Sequence, residues 1–84
     1  MNNVTKRVKL GSIQSVRDFC YAMKGFPRNI SIKAKCEDCE SDARSLLDLM
    51  VLNHSEPIDI VFESAKDIDI EEINKIIYPW EVEL

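Results

Sequence analysis

Two cysteines, one histidine and two serines are the residues of this chain best placed to do chemistry. Cys36-Glu37-Asp38-Cys39 has C-x-x-C spacing, which serves a redox pair or one half of a zinc site. A redox pair wants a helix N-terminus to stabilise its thiolate, whereas this segment falls at a predicted hairpin among acidic neighbours that disfavour the thiolate. A zinc site wants two more ligands; Cys20 and His54 are the obvious recruits, and Cys20 is predicted to lie in the core. Two small residues in a turn is the better reading, so no metal and no cofactor is expected. His54, the single histidine, belongs to a predicted loop and is expected to face solvent. Ser12 and Ser45 each stand immediately before a helical pattern, where a serine hydroxyl accepts a free first-turn N–H. The same helix ends favour anions through their free N–H groups and dipole. No Ser/His/Asp or Cys/His arrangement with supporting context, no Gly-rich phosphate loop and no carboxylate pair in a catalytic setting is recognisable.

The elements that position these residues follow from hydrophobic periodicity. Val4, Lys6, Val8 and Leu10 share one face of an extended segment, with Thr5, Arg7 and Lys9 opposite, which reads as a half-buried strand. After Gly11-Ser12 the period changes: Ile13, Val16, Phe19, Cys20 and Met23 form one helix face. Gly25 suits the left-handed position that ends a helix, and Pro27 blocks continuation. Ile30, Ile32, Ala34 and Cys36 alternate with Ser31, Lys33 and Lys35 as a second strand, and residues 37–40 turn into a short third one. Ser45 caps a compact helix over 46–51 that is apolar nearly all round, and Asn53 is suited to ending it. Ile58, Ile60 and Phe62 alternate as a further strand. Asp69 with Glu72 has the form of a capping box before a last helix, with Ile70, Ile73, Ile76 and Ile77 as its buried stripe. The order βαββαβα, with strands apolar on one face, predicts an α+β domain: a mostly antiparallel sheet with helices on one face.

A chain of 84 residues makes one domain, 1–84, with a single core. An apolar share of 45% with 31% charged residues is ordinary for a soluble protein. No apolar run approaches the roughly 20 residues that span a bilayer, and the N-terminus lacks the apolar stretch of a secretory signal. Three cysteines are too few for a disulfide scaffold, so a cytoplasmic location is expected, without a membrane partner. A net charge of −4 disfavours direct nucleic-acid binding. The charge is unevenly spread: residues 1–35 carry eight Lys/Arg against Asp18 alone, and residues 36–84 carry three against fourteen Asp/Glu. This predicts either a basic surface for acidic partners or strand charges that intermix on folding.

Several segments resemble the histidine-containing phosphocarrier (HPr) family of the bacterial sugar phosphotransferase system. Lys24-Gly25-Phe26 is similar to the end of that family's first helix, and Phe19 falls at its core aromatic. Asp42-Ala43-Arg44-Ser45-Leu46-Leu47 is similar to its Asn-Ala-Lys-Ser-Ile/Leu-Met/Phe segment. Asn53 stands where the family usually has Gly, and Ile58 to Phe62 match its fourth strand. The likeness covers roughly residues 4–78, with a small insertion near residues 36–40. It implies an open-faced β-sandwich, in which three helices cover one face of a four-stranded antiparallel sheet.

The resemblance also implies a degenerate active site. Family members read Gly-x-His-Ala-Arg-Pro-Ala entering the first helix; in register, Ser12 stands at the His, Gln14 at the Arg and Ser15 at the Pro. A serine phosphate ester is too stable for onward transfer, so carrier chemistry is not expected and no residue is assigned a catalytic role. Arg17, one turn further along, is the candidate anion contact. Ser45 corresponds to a serine that a regulatory kinase phosphorylates in many family members, with Arg44 beside it to screen or present the phosphate. The family docks its partners through the first two helices, which assigns Arg17, Lys24, Leu46, Leu47 and Met50 to partner binding and predicts that Leu47 and Met50 are exposed. The function implied is regulation of sugar transport through protein partners: phosphotransferase components, an HPr-type kinase or a transcriptional regulator. The alternatives are a phosphocarrier with a non-standard acceptor and an unrelated small α+β binding module. Trp80 is expected to pack back on the domain edge or to anchor a partner.

Overall fold

The alternating N-terminal segment forms strand β1 (Asn2–Val8), and the periodic run after it forms helix α1 (Ile13–Lys24). Then come β2 (Ser31–Cys36), β3 (Cys39–Asp42), α2 (Leu46–Met50), β4 (Ile58–Ser64) and α3 (Ile70–Ile77). The structure, a computed structural model, describes residues 2–36, 39–52 and 56–82. The expectations for Asn53, for His54 and for the middle of the 37–40 turn lie outside them.

The strands make one sheet in the order β1-β4-β2-β3, antiparallel at every pairing. Ile58, Ile60 and Phe62 of β4, Ile32 and Ala34 of β2 and Val8 of β1 point to one side. There they join a single core with Val16, Phe19 and Met23 of α1, Leu49 of α2, and Ile73 and Ile77 of α3. Three helices therefore cover one face and the other is open, as the one-sided alternation of the strands predicts.

The open face resolves the uneven charge. Arg7 meets Asp59 at 2.9 Å, and Lys33 and Lys35 both meet Glu40, at 3.1 and 3.5 Å; on the inner side Lys6 meets Glu81 at 3.6 Å. Each of these pairs joins a basic residue from 1–35 to an acidic one from 36–84. Intermixing of strand charges, rather than a broad basic surface, is what the register produces. The Lys33 hydrogen bond, and after it the Lys33 charge, hold the Glu40 carboxyl below its ordinary range, while Glu40 raises Lys33.

Four local expectations need correction. Ile13 is 61% exposed and Ile70 50%: each sits in the first turn of its helix, beyond what the sheet covers. Leu10 is buried ahead of α1, and Ile68 packs on the core ahead of α3. Leu10 itself lies past the end of β1, where the chain turns to meet the C-terminal segment: Lys9 N–H donates to Trp80 O and Val82 N–H to Arg7 O, both at 2.9 Å. Gly25 is not left-handed; it stays in the right-handed helical region at φ −76°, ψ −14°. The helix tightens at its end, with Gly25 N–H donating to Ala22 O and Phe26 N–H to Met23 O. A left-handed turn would offer backbone N–H groups to the last carbonyls; here a side chain from another element does so.

Candidate functional site

That side chain is Arg44. Its guanidinium donates to the carbonyls of Met23 (3.1 Å), Phe26 (3.1 Å), Pro27 (2.8 Å) and Ile30 (2.8 Å). The positive charge sits at the C-terminal end of α1, where the helix dipole favours a cation. The segment leading into α2 aims it. Asp42 Oδ1 accepts Arg44 N–H at 2.9 Å, Ala43 is fully buried with its N–H on Ile32 O, and Ser45 N–H donates to Asp42 O. Arg44 is thus a clamp between the α1–β2 connection and α2. The expectation that it screens or presents a phosphate on Ser45 is corrected: its fork is spent on main-chain carbonyls.

Ser45 caps α2 by accepting Asp48 N–H at 3.4 Å. Asp48 in the first turn opposes a phosphate on Ser45.

At the start of α1, Ser12 Oγ accepts Ser15 N–H at 3.1 Å and donates to Ser15 Oγ at 3.2 Å. Two of the three positions that the resemblance singles out are therefore joined in a capping arrangement. The third, Gln14, donates to Asp18 Oδ1 at 2.8 Å, which directs it along the helix rather than toward its N-terminus. Arg17 is exposed and forms no ion pair among the described residues.

The structure brings the docking candidates together more than the anion candidates. Gln14, Arg17, Tyr21 and Lys24 of α1 and Leu46 of α2 line one open groove of about 290 Å³, with Asp18 and Cys20. That volume falls at the bottom of the range of small-molecule pockets (about 300–1,000 Å³), and the groove is open, so it suits a protruding side chain better than an enclosed ligand. Lys24 and Arg17 form no salt bridge among the described residues, and with Asp18 as the one carboxylate in its lining the groove keeps a net positive charge. Cys20, in its wall, is inert: burial is the main cause that pushes its thiol up, and its Sγ–H donates to Arg44 O at 3.5 Å.

Outside the groove, α2 exposes Leu47 (79%), Met50 (42%) and Val51 (81%), spaced three and four apart along one side. Sequence reasoning named the first two. Val51 is one of the four apolar residues here, with Leu46, Leu47 and Met50, that cannot all face inward, though its exposure is not singled out, and Tyr21 at 82% exposure is missed. Tyr21 carries a legible signal, an aromatic outside the Val16/Phe19/Met23 stripe and one turn from both Arg17 and Lys24.

Elsewhere, Trp80 packs edge-on against Phe19 with ring centroids 5.3 Å apart, which places it on the core side as the first of its two readings predicts. Cys36 and Cys39 face each other at the end of the β2–β3 pairing. Among the described residues no group of three or more His, Cys, Asp or Glu is arranged to hold a metal ion, and no helix is long and apolar enough to cross a membrane.

No family model, curated protein or solved structure matches this chain. The reading of its function therefore rests on its own residues.

Proposed function

We propose that this domain is a protein-binding, regulatory module that docks through α1 and α2 and does not carry phosphate. The observation that carries this reading is the surface of α2, where Leu47, Met50 and Val51 stand exposed on a helix whose neighbour contributes Arg17, Tyr21 and Lys24. Exposed apolar side chains gathered in one place mark interaction surfaces in soluble proteins, and aromatic and arginine side chains are the usual anchors. Arg17 and Lys24, which outnumber Asp18 in the groove, favour a partner with carboxylates around an apolar anchor. The α+β architecture and the segments similar to HPr support placing the module beside the phosphotransferase system, with its components, an HPr-type kinase or a transcriptional regulator as partner. Ser45 supplies the switch in that reading. A phosphate there adds up to two negative charges next to Leu46, at the edge of the groove, with Asp48 opposing and Arg44 committed elsewhere. The modification would weaken docking of an acidic partner.

The test measures intact mass after incubation with ATP and an HPr-type kinase, and separately with phosphoenolpyruvate and the general phosphotransferase enzyme. One acid-stable phosphate from ATP alone, absent from Ser45→Ala, supports the regulatory module. An acid-labile phosphate from phosphoenolpyruvate overturns it in favour of a carrier with a non-standard acceptor. No phosphate from either removes the Ser45 switch and favours an unrelated α+β binding module.

A further inference from the structure

We propose that Cys36 and Cys39 are a reversible dithiol–disulfide pair, oxidised by small disulfides such as oxidised glutathione, which fastens the end of β3 to β2. The two residues are directly opposite in the antiparallel register. Facing residues in such a ladder have Cα atoms about 4.5 or 5.5 Å apart, and both spacings lie within the window of about 4.4–6.8 Å that a disulfide spans. The Cα spacing of the register thus admits the bond. The side chains already converge: the Sγ atoms of the two thiols are 2.8 Å apart.

Access and electrostatics agree. Cys39 is exposed, at the start of the edge strand, while Cys36 is half-buried. An incoming disulfide therefore meets Cys39 first, which attacks it, and Cys36 stands behind as the resolving thiol. Acidic neighbours oppose thiolate formation, but the nearest described one, Glu40, is paired with both Lys33 and Lys35. The third cysteine, Cys20, is on the buried face of α1 and does not compete.

The exchange balances. The Cys39 thiolate attacks one sulfur of glutathione disulfide; that S–S bond breaks and one glutathione leaves with the electron pair and takes up a proton. The Cys36 thiol gives its proton to solvent and attacks Cys39 Sγ in the mixed disulfide, expelling the second glutathione. Two protein thiols become one disulfide as one glutathione disulfide becomes two thiols.

Trypsin makes this easy to read, because Lys35 and Arg44 release both cysteines in one peptide, 36–44, and Arg17 and Lys24 release Cys20 in another, 18–24. The folded protein is incubated with oxidised glutathione, quenched in acid, unfolded, alkylated and digested. The expected result is loss of both alkylation sites from peptide 36–44, which becomes lighter by two hydrogens, full alkylation of Cys20, and recovery of both sites with dithiothreitol. Cys36→Ser is expected to hold a lasting glutathione adduct on Cys39. Peptide 36–44 still alkylated at both cysteines overturns the proposal, as does a persistent glutathione adduct on the wild-type protein or a cross-link to a second copy.

Discussion

Removing the guanidinium of Arg44 tests whether a single side chain closes the end of α1. Its four hydrogen bonds to Met23, Phe26, Pro27 and Ile30 carbonyls are charge-assisted, a class that contributes roughly 1.5–3 kcal/mol each. The gross figure of about 6–12 kcal/mol overstates the net effect. Holding the arginine still costs about 2 kcal/mol, and water replaces the guanidinium where the contact is exposed, as at Pro27. A net loss of about 3 kcal/mol is expected for Arg44→Met, which keeps the apolar stem and removes only the donors. Arg44→Lys, with one ammonium in place of a planar fork, is expected to recover at most about a third of that. In urea, with a slope of about 1.5 kcal/mol/M for a domain of this size, the Met variant moves the midpoint down by about 2 M, followed by Trp80 fluorescence. A shift below about 0.3 M for Arg44→Met would refute the clamp and free Arg44 for the phosphate role its position beside Ser45 suggests.

Gly11 has a negative-φ or extended backbone and open space where a Cβ would stand, so Gly11→Ala is expected to raise thermal stability by about 0.4–1 kcal/mol through a less flexible unfolded chain. Phe19 is fully buried beneath Trp80; Phe19→Ala is expected to cost about 3–5 kcal/mol, read as a lowered urea midpoint and altered Trp80 emission. Glu40 is expected to titrate below the ordinary carboxylate range by NMR and to move back up in Lys33→Ala. Because the folded value is depressed, the stability this pair adds is present at neutral pH and is lost as pH falls through the Glu40 titration. Lys33 is raised, so at the alkaline end the contribution disappears as pH rises through the Lys33 titration.

Periodicity carried the fold. Ile58, Ile60 and Phe62 alternate because one face of β4 is buried, and no reading of that segment as helix competes. The caps were equally legible: Ser12, Ser45 and Asp69 each accept the N–H three residues on, a purely local interaction. What failed depended on partners distant in sequence. Gly25 looks like a left-handed helix end until Arg44, nineteen positions later, supplies the donors. Arg44 looks like a phosphate ligand because of its neighbour Ser45, though its guanidinium serves the far side of the chain. Cys36 and Cys39 look like turn residues until the strand register sets them face to face. The site was legible to the extent that amphipathicity reports it: Leu47 and Met50 are surplus to one buried stripe, and Tyr21 falls outside the buried stripe of α1.

The position of β4 has a consequence for biosynthesis. Among the described residues it is the sole sheet neighbour of β1 and the link from β1 to β2, yet it is the last of the four strands in chain order. Until residues 58–64 leave the ribosome, β1 has no ladder to join, and most of the carboxylates that neutralise the basic first half are still unmade. Residues 1–57, made before β4, carry nine Lys/Arg against seven Asp/Glu, a weakly cationic segment beside a polyanionic ribosomal surface. Its collapse is thus expected late and in one step, and chains stopped before residue 58 are substrates for proteases and chaperones rather than partly folded domains.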